Sequence, residues 1–508
     1  MKSKSDMQDT INKVIPDCEM APGTIDEVVK LPSFSEKIGL FEGIHRKKFC
    51  EMCEQDQDAL VFRRVQQLVN ILKLNPLWKE RINKSDNKGT LRNFDDWQQL
   101  PITDRETLNE FYMGTRPGLV VPLTYSGFEI IASGGTSGGL PIETVYSLRE
   151  LHQTYQIAGD FMDRHVLRNY LDQKATKWII TTLTDYEMWS SGTMIGGILQ
   201  RTPNVNFIAA GPMTDKVYNH ILSFEGEKAI MGMSREIEGL IELGKESNEA
   251  SRKSFKLAIY GSGIIQSRKA TELKEIYPDL QILSYFASNQ AEAIGMQRHP
   301  GSYLAAVPGL HLIEIVDDNG KWVKEGEEGE LLVTRLHATE APILRMKLGD
   351  RMIRRPSLQS HALNAQQMEF VGRSGDIIHL GETHYAAPGV YASLCRELKD
   401  ANILDLDAMA HEVQFMNNRN EKKLYLLVSV DDVRGAISTF KEKSSAQRER
   451  EFFITALKRS ISLFDQTEKQ YKALDNIVYA FEIKLVERGS GEIYRTKVNK
   501  VPLIRDVF

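Results

Sequence analysis

The stretch IIASGGTSGGLP, residues 130–141, decides how this chain is read. A short apolar run gives way to four glycines set among Ser133, Thr136 and Ser137. Glycine held in one conformation costs backbone entropy, so such a run needs a task. Two tasks fit. Successive N–H groups in a glycine-rich turn cradle phosphate, with Ser and Thr hydroxyls as further donors. A surface hairpin turn that merely tolerates glycine is the other reading, and the loop alone does not choose between them. It is not the G-x-x-x-x-G-K-[ST] form, because no Lys-Ser/Thr pair follows. The flanks, GFEIIAS before and PIETVY after, read as strands.

Outward from the loop, Ser147 and Glu150 form an S-x-x-E capping signature. The helix it opens carries Leu148, Leu151, Tyr155, Ala158 and Phe161 at helical spacing. Strand and helix patterns then alternate: KWIITTL, NFIAAG, VYNHILSF, SREIEGLIELGKES, FKLAIYGSG, SRKATELKEIY and LQILSYFAS. That order predicts an α/β layered core. The texture changes at LHLIEIVDDNGKWVKEGEEGELLVTRL, a strand–turn–strand section, and the end of the chain mixes short strands with a polar helix near 444–465. Upstream, LVFRRVQQLVNILKLNPLWKERI has helical spacing, and Pro76 is expected to end that helix. The predicted fold class is α/β: a large layered α/β N-terminal domain with a β-rich section, plus a small α+β C-terminal domain. The seam is expected at VGRSGDII, where Gly375 can act as a swivel.

The chain has 508 residues, 42% hydrophobic and 26% charged, with a net charge of -5. That length holds one large core and a smaller module. The weak acidity gives no field for nucleic acid or an anionic membrane. The polar start MKSKSDMQDTINK lacks the apolar core of a signal peptide, and no apolar run reaches membrane-spanning length, so a cytoplasmic protein is expected. Homodimerisation is left open. Cys50 and Cys53 make one C-x-x-C, two ligands where a structural zinc needs four. Reduced cysteines on a helix is the expectation, with Cys18 and Cys395 remote in sequence.

Six stretches fall in a familiar order: NPLWKERI, FDDWQQLPITDRETL, the glycine loop, SYFASNQAEAIG, GEEGELLVTRL with APILRMKLGD, and FVGRSGDIIHLGE. This series resembles the adenylate-forming superfamily and, within it, the phenylacetate–coenzyme A ligase-like branch, over residues 60–395 with a weaker tail. The resemblance implies a 1–60 N-terminal extension, a 61–372 AMP-binding core and a mobile 373–508 C-terminal domain. It implies attack of a carboxylate on the α-phosphate of ATP, giving an acyl-adenylate and pyrophosphate, then displacement of AMP by a thiol. Both partners of the first step are anions, so the site must neutralise charge and align them.

By the same resemblance Ser133, Gly134, Gly135, Thr136, Ser137 and Gly138 cradle the leaving pyrophosphate. Gly139, Leu140 and Pro141 stand where the family carries a lysine. Asp350 matches a ribose-binding aspartate; a carboxylate accepts from both ribose hydroxyls. Arg373 matches an arginine on ribose or phosphate. Tyr285 and Ser288 line the nucleotide. The Mg2+ ligand depends on the alignment: EAIG selects Glu292, and YFAS selects Asn289 or Gln290. Of these only Glu292 offers an anionic oxygen, which a hard cation prefers. Tyr186, Trp189, Gly196, Gly197 and Gly261 are expected to shape a slot for a small, flat acyl or aryl group. In GSGEIYRTKVNK, Glu492 stands where the family has lysine, leaving Lys497 or Lys500 to offset charge on the α-phosphate. Coenzyme A is the default acceptor, and a carrier protein or a protein cysteine is the alternative. A nucleotide-binding protein without turnover is the reading from a different class.

Overall fold

The computed structural model describes residues 4–132, 142–186, 188–263, 265, 267–373, 376–380, 383–459, 474, 477–495 and 501–507. Their contacts divide them into two units. The first comprises Met1–Ile265, Glu272–Leu348 and Met352–Glu369; the second comprises Gln266–Thr271, Gly349–Arg351 and Phe370–Phe508.

The first unit begins with helices. Lys4–Val14, Ile25–Lys30 and Phe34–His45 precede the long helix Glu54–Leu72. Ser33 opens the third of these with a complete capping box: its hydroxyl accepts from Glu36 N, and its own N–H donates to the Glu36 carboxylate. Ile11, Val14, Phe34 and Phe41 pack in one core cluster with Leu60, Val65 and Leu72. The residues before 61 are thus built into the same core as the helix that follows them. Pro76 does not end the Glu54–Leu72 helix; it opens another, Pro76–Asn83, capped by Asn75. Proline at the first helical position sacrifices no hydrogen bond, because that N–H has no partner in the helix anyway. The cysteine expectation is also corrected: Cys50 lies in a short 3-10 turn and Cys53 caps the long helix, both thiols being free.

Strands β1 (Phe128–Ala132) and β2 (Glu143–Ser147) form an antiparallel hairpin whose stem frames residues 133–141. The main sheet then takes eleven strands: β3 (Lys177–Thr181), β4 (Asn206–Ala209), β5 (Glu227–Met233), β6 (Phe255–Gly261), β7 (Gln281–Ser288), β8 (Glu292–Met296), β9 (Leu304–Ala306), β10 (His311–Val316), β11 (Glu328–Arg335), β12 (Met346–Gln359) and β13 (Asn364–Arg373). Their order is β10-β11-β12-β13-β9-β8-β7-β6-β5-β3-β4. From β4 to β7 the pairing is parallel, and from β7 to β9 it is antiparallel. The parallel half is the βαβ layer expected from the alternating pattern, since parallel strands need crossovers. The antiparallel half is the β-rich section. The sequence reading missed β5, EKAIMGM, whose alanine and methionines look like helix.

The second unit holds β14 (Ile377–Leu380) paired with β15 (Thr383–Ala386), and a four-stranded sheet. That sheet is ordered β18-β17-β16-β19, from β16 (Glu412–Asn418), β17 (Lys423–Val430), β18 (Ala480–Glu487) and β19 (Ile504–Val507). Helices Ala387–Asp400 and Ala446–Arg459 pack on it through Leu394, Leu398, Phe453 and Leu457. This is the α+β module foreseen.

In the first unit His337 is wholly buried, one ring nitrogen on Gly309 O at 2.9 Å and the ring against Phe34. Burial pushes its pKa from 6.5 down to about 3. A folded value below the unfolded one means the unfolded chain binds the extra proton, so the contribution is whole above pH 6.5 and is lost as pH falls toward 3. Between pH 6 and 4, His337→Gln should lose about 1.4 kcal/mol less stability per pH unit than the wild type. Urea titrations across that range check it.

Candidate functional site

The stem of the hairpin is tied to the turn between β7 and β8. Asn289 Nδ2 donates to Ala132 O at 2.7 Å, on the last residue of β1. Tyr146, in β2, donates its hydroxyl to Asn289 O at 2.7 Å. One residue therefore holds both strands of the hairpin against the strand end that carries Tyr285 and Ser288. Ala132 N also donates to Met188 O, which brings the turn after β3 to the same place.

Behind Tyr146 lies a buried ionic cluster. Arg335 stacks on the Tyr146 ring, 4.0 Å from its centroid, and donates to Val145 O. Its Nε lies 3.1 Å from Glu150 Oε1, off the line of a hydrogen bond. Burial alone would lower the guanidinium pKa, but Glu150, Tyr146 and Glu292 around it carry it above its ordinary value. Arg335 is therefore a permanent buried cation held to the stem. The capping signature is half fulfilled. Ser147 Oγ accepts from Glu150 N at 3.1 Å, while the Glu150 carboxylate serves Arg335.

Glu292 opens β8 opposite Ser288 at a positive φ of 34°. Its side chain is buried, with Oε2 3.2 Å from His311 Nε2, and among the described residues Oε1 has no hydrogen-bond partner. Mg2+ retains several waters and takes phosphate oxygens beside one or two carboxylates. A carboxylate closed off from solvent and paired with an imidazole does not fit that role. Among the described residues no group of three or more His, Cys, Asp and Glu is placed to hold a metal. Asn289, the alternative from YFAS, is engaged as the tie, and an amide oxygen there is neutral.

The expected acyl-slot residues separate in three ways. Gly197 and Gly261 make room for rings: a Cβ on Gly197 would lie 2.3 Å from Tyr155, and one on Gly261 would lie 2.6 Å from Tyr285. Gly196 is not crowded, Phe207 being 3.9 Å from such a Cβ. Tyr186 and Trp189 close a tight turn by mutual backbone hydrogen bonds, and Tyr186 is exposed. A cavity of about 30 Å3 lies among Ala158, Phe161, Ile195, Ile198, Met231 and Tyr285. Tyr155 was read only as helix core; what the sequence could not show is that its hydroxyl is buried and has no hydrogen-bond partner among the described residues.

In the second unit Arg373 Nε lies 3.7 Å from Asp350 Oδ1, so the two residues assigned to ribose and phosphate are neighbours. Glu492 pairs with Lys484. Gln414, fully buried, accepts from Tyr494 N and donates to Tyr494 O and Pro502 O. Ser133, Gly134, Gly135, Thr136, Ser137, Gly138, Gly375, Lys497 and Lys500 lie outside the described residues. No helix among the described residues is long and apolar enough to cross a membrane.

No family model matches the chain, and no curated protein does. Solved structures match. 2-Hydroxyisobutyryl-CoA ligase in the postadenylation state, in complex with R3-HIB-AMP, aligns over 90% of this chain and 91% of its own, with a TM-score of 0.64 and 13% identity. The same ligase in an open conformation with 2-HIB-AMP and CoA gives 0.57 at 13% identity, over 90% and 93%. In the thioesterification state it gives 0.55 at 14% identity, over 90% and 91%. At such identity the likeness is one of fold: this chain has the fold seen in 2-hydroxyisobutyryl-CoA ligase.

If the tie organises the nucleotide site, Asn289→Leu should weaken ATP binding about tenfold, the scale of a lost hydrogen bond that leaves Ala132 O unsatisfied. Calorimetry with the folded variant measures it, and unchanged affinity would count against the tie.

Proposed function

We propose that this chain activates a small carboxylic acid with ATP as an acyl-adenylate, releasing pyrophosphate, and then transfers the acyl group to a thiol. The carrying observation is the tie through Asn289. It fixes the stem of a glycine- and hydroxyl-rich segment beside the strand end bearing Tyr285 and Ser288. In the first step a carboxylate oxygen bonds to the α-phosphorus and the bond to pyrophosphate breaks. In the second, thiol sulfur bonds to the acyl carbon and AMP leaves.

Amides and hydroxyls from Ser133 to Gly138 neutralise the departing pyrophosphate, as preorganised donors do in a site that excludes water. Asp350 accepts from the ribose hydroxyls, with Arg373 beside it. Lys500 or Lys497 offsets charge on the α-phosphate. Magnesium enters with ATP as part of the substrate, and no step is assigned to it on Glu292. The phenylacetate-like motifs put aryl acids first among the candidates, and coenzyme A first among the acceptors.

Pyrophosphate release over a panel of aryl, fatty and amino acids with Mg-ATP tests the activation. Adding coenzyme A or a carrier protein then separates the acceptors. ATP binding without release under any acid would leave a nucleotide-binding protein and overturn the reading. Lys500→Ala or Lys497→Ala should slow adenylate formation by about a hundredfold, the worth of one well-placed transition-state contact. Both variants forming adenylate at the wild-type rate would remove the lysines from the mechanism. Gly375→Pro should spare adenylation and slow thiol transfer, since a swivel needs backbone freedom. Equal loss in both steps would deny the pivot.

A further inference from the structure

Side chains alternate faces along a strand, so β16 sets Glu412, Gln414 and Met416 on one face of the four-stranded sheet. Phe415, between them, belongs to the core under the helices Ala387–Asp400 and Ala446–Arg459. Gln414 is fully buried and stands opposite Leu427 of β17. A buried amide is costly unless its donors and acceptor are bonded. Here all the bonds go to two residues. Gln414 Oε1 accepts from Tyr494 N at 2.9 Å, and Nε2 donates to Tyr494 O at 3.2 Å and to Pro502 O at 3.0 Å. Two residues well separated in sequence are thus brought to one side chain.

Other contacts fasten the same two ends independently. Glu412 takes Arg495 in a two-pronged pair, Nε on Oε1 at 3.2 Å and Nη2 on Oε2. Ile493 is buried with Leu427 and Val486, and Met416 and Val501 pack against that cluster. Beyond Pro502, Leu503 O accepts from Phe415 N at 2.7 Å, and the chain enters β19 beside β16. Both ends of the stretch TKVNK, residues 496–500, are therefore held to this sheet, and Lys497 and Lys500 lie in sequence between them. Among the described residues, Gln414 is the side chain whose hydrogen bonds reach both ends.

We infer that Gln414 is a positioning residue for acid activation: it clamps the two ends of the 496–500 stretch, so that the lysine between them meets the α-phosphate in one fixed place. This rests on the acid-activation reading above and on its lysine. A compact cation on a flexible four-carbon stem is only as well placed as the backbone that carries it. A displacement of about 1 Å, caused far from the chemistry, can cost a hundredfold in rate. Removing the clamp therefore costs rate in the step the lysine serves and leaves nucleotide affinity alone.

The test uses the full chain, Mg-ATP and the acid that best releases pyrophosphate. Gln414→Met, which removes the three bonds at similar volume, should slow adenylate formation about tenfold or more at saturating substrates. KM for ATP, and transfer from preformed acyl-adenylate to coenzyme A, should stay within about twofold of the wild type. The substitution is then repeated in whichever background, Lys500→Ala or Lys497→Ala, slows adenylation. There it should cost less than about twofold, because residues that act through one another are not additive. A merely structural residue would cost the same in both backgrounds. Gln414→Asn, a shorter amide, carries the same measurements should thermal midpoints show the methionine variant unfolded. Wild-type adenylation in the variant, equal loss in both half-reactions, or full loss in the lysine background overturns the inference and leaves activation standing. So does the finding that neither lysine matters. Should the wild type release no pyrophosphate with any acid, the activation reading itself fails and the inference falls with it.

Discussion

The arrangement depends on one side-chain amide. Asn289 uses its Nδ2 on the end of β1 and its main-chain oxygen on Tyr146 of β2, so a single turn carries both strands of the hairpin. A two-stranded hairpin alone is marginally stable in water. This one is anchored from the front by Asn289 and from behind by Arg335, stacked on Tyr146 and paired with Glu150. A buried guanidinium is a costly anchor. Such a pair is often no more stabilising than apolar residues of the same volume, but breaking it by removing one partner is strongly destabilising. Its consequence here is fixed placement: the stem cannot shift without stranding a charge.

The same economy explains the glycines outside the loop. Gly197 and Gly261 are small because Tyr155 and Tyr285 occupy the space a Cβ would fill. The layer between the 148–165 helix, the 191–200 helix and β7 is then walled by two phenols. Glycine and aromatic ring act as a pair in this layer.

The α/β class and most of the parallel layer were legible because apolar runs and helical spacing differ in period, 2 against 3.6. Where one residue type serves two ends, the reading failed. Pro76 looks like a stop and is a start, since proline fits the first turn of a helix as well as it breaks an interior. Ser147-x-x-Glu150 reads as a capping box, yet only the serine caps; the glutamate was recruited by Arg335, distant in sequence. Glu292 carries the charge a metal ligand needs, but its burial beside His311 is set by the pairing of β7 with β8, which no local pattern encodes. Asn289 is equally silent: an asparagine in a turn has a local explanation, and its bond to Ala132 spans the chain.

The central claim is that the stem and the β7–β8 turn form one nucleotide-responsive unit. Amide hydrogen exchange with and without Mg-ATP addresses it directly, read on peptides covering 128–147 and 281–296. The account predicts that nucleotide slows exchange in both peptides together, and that the coupling disappears when Asn289 is replaced by leucine. Protection of neither peptide at saturating nucleotide, or of peptides elsewhere alone, would contradict it.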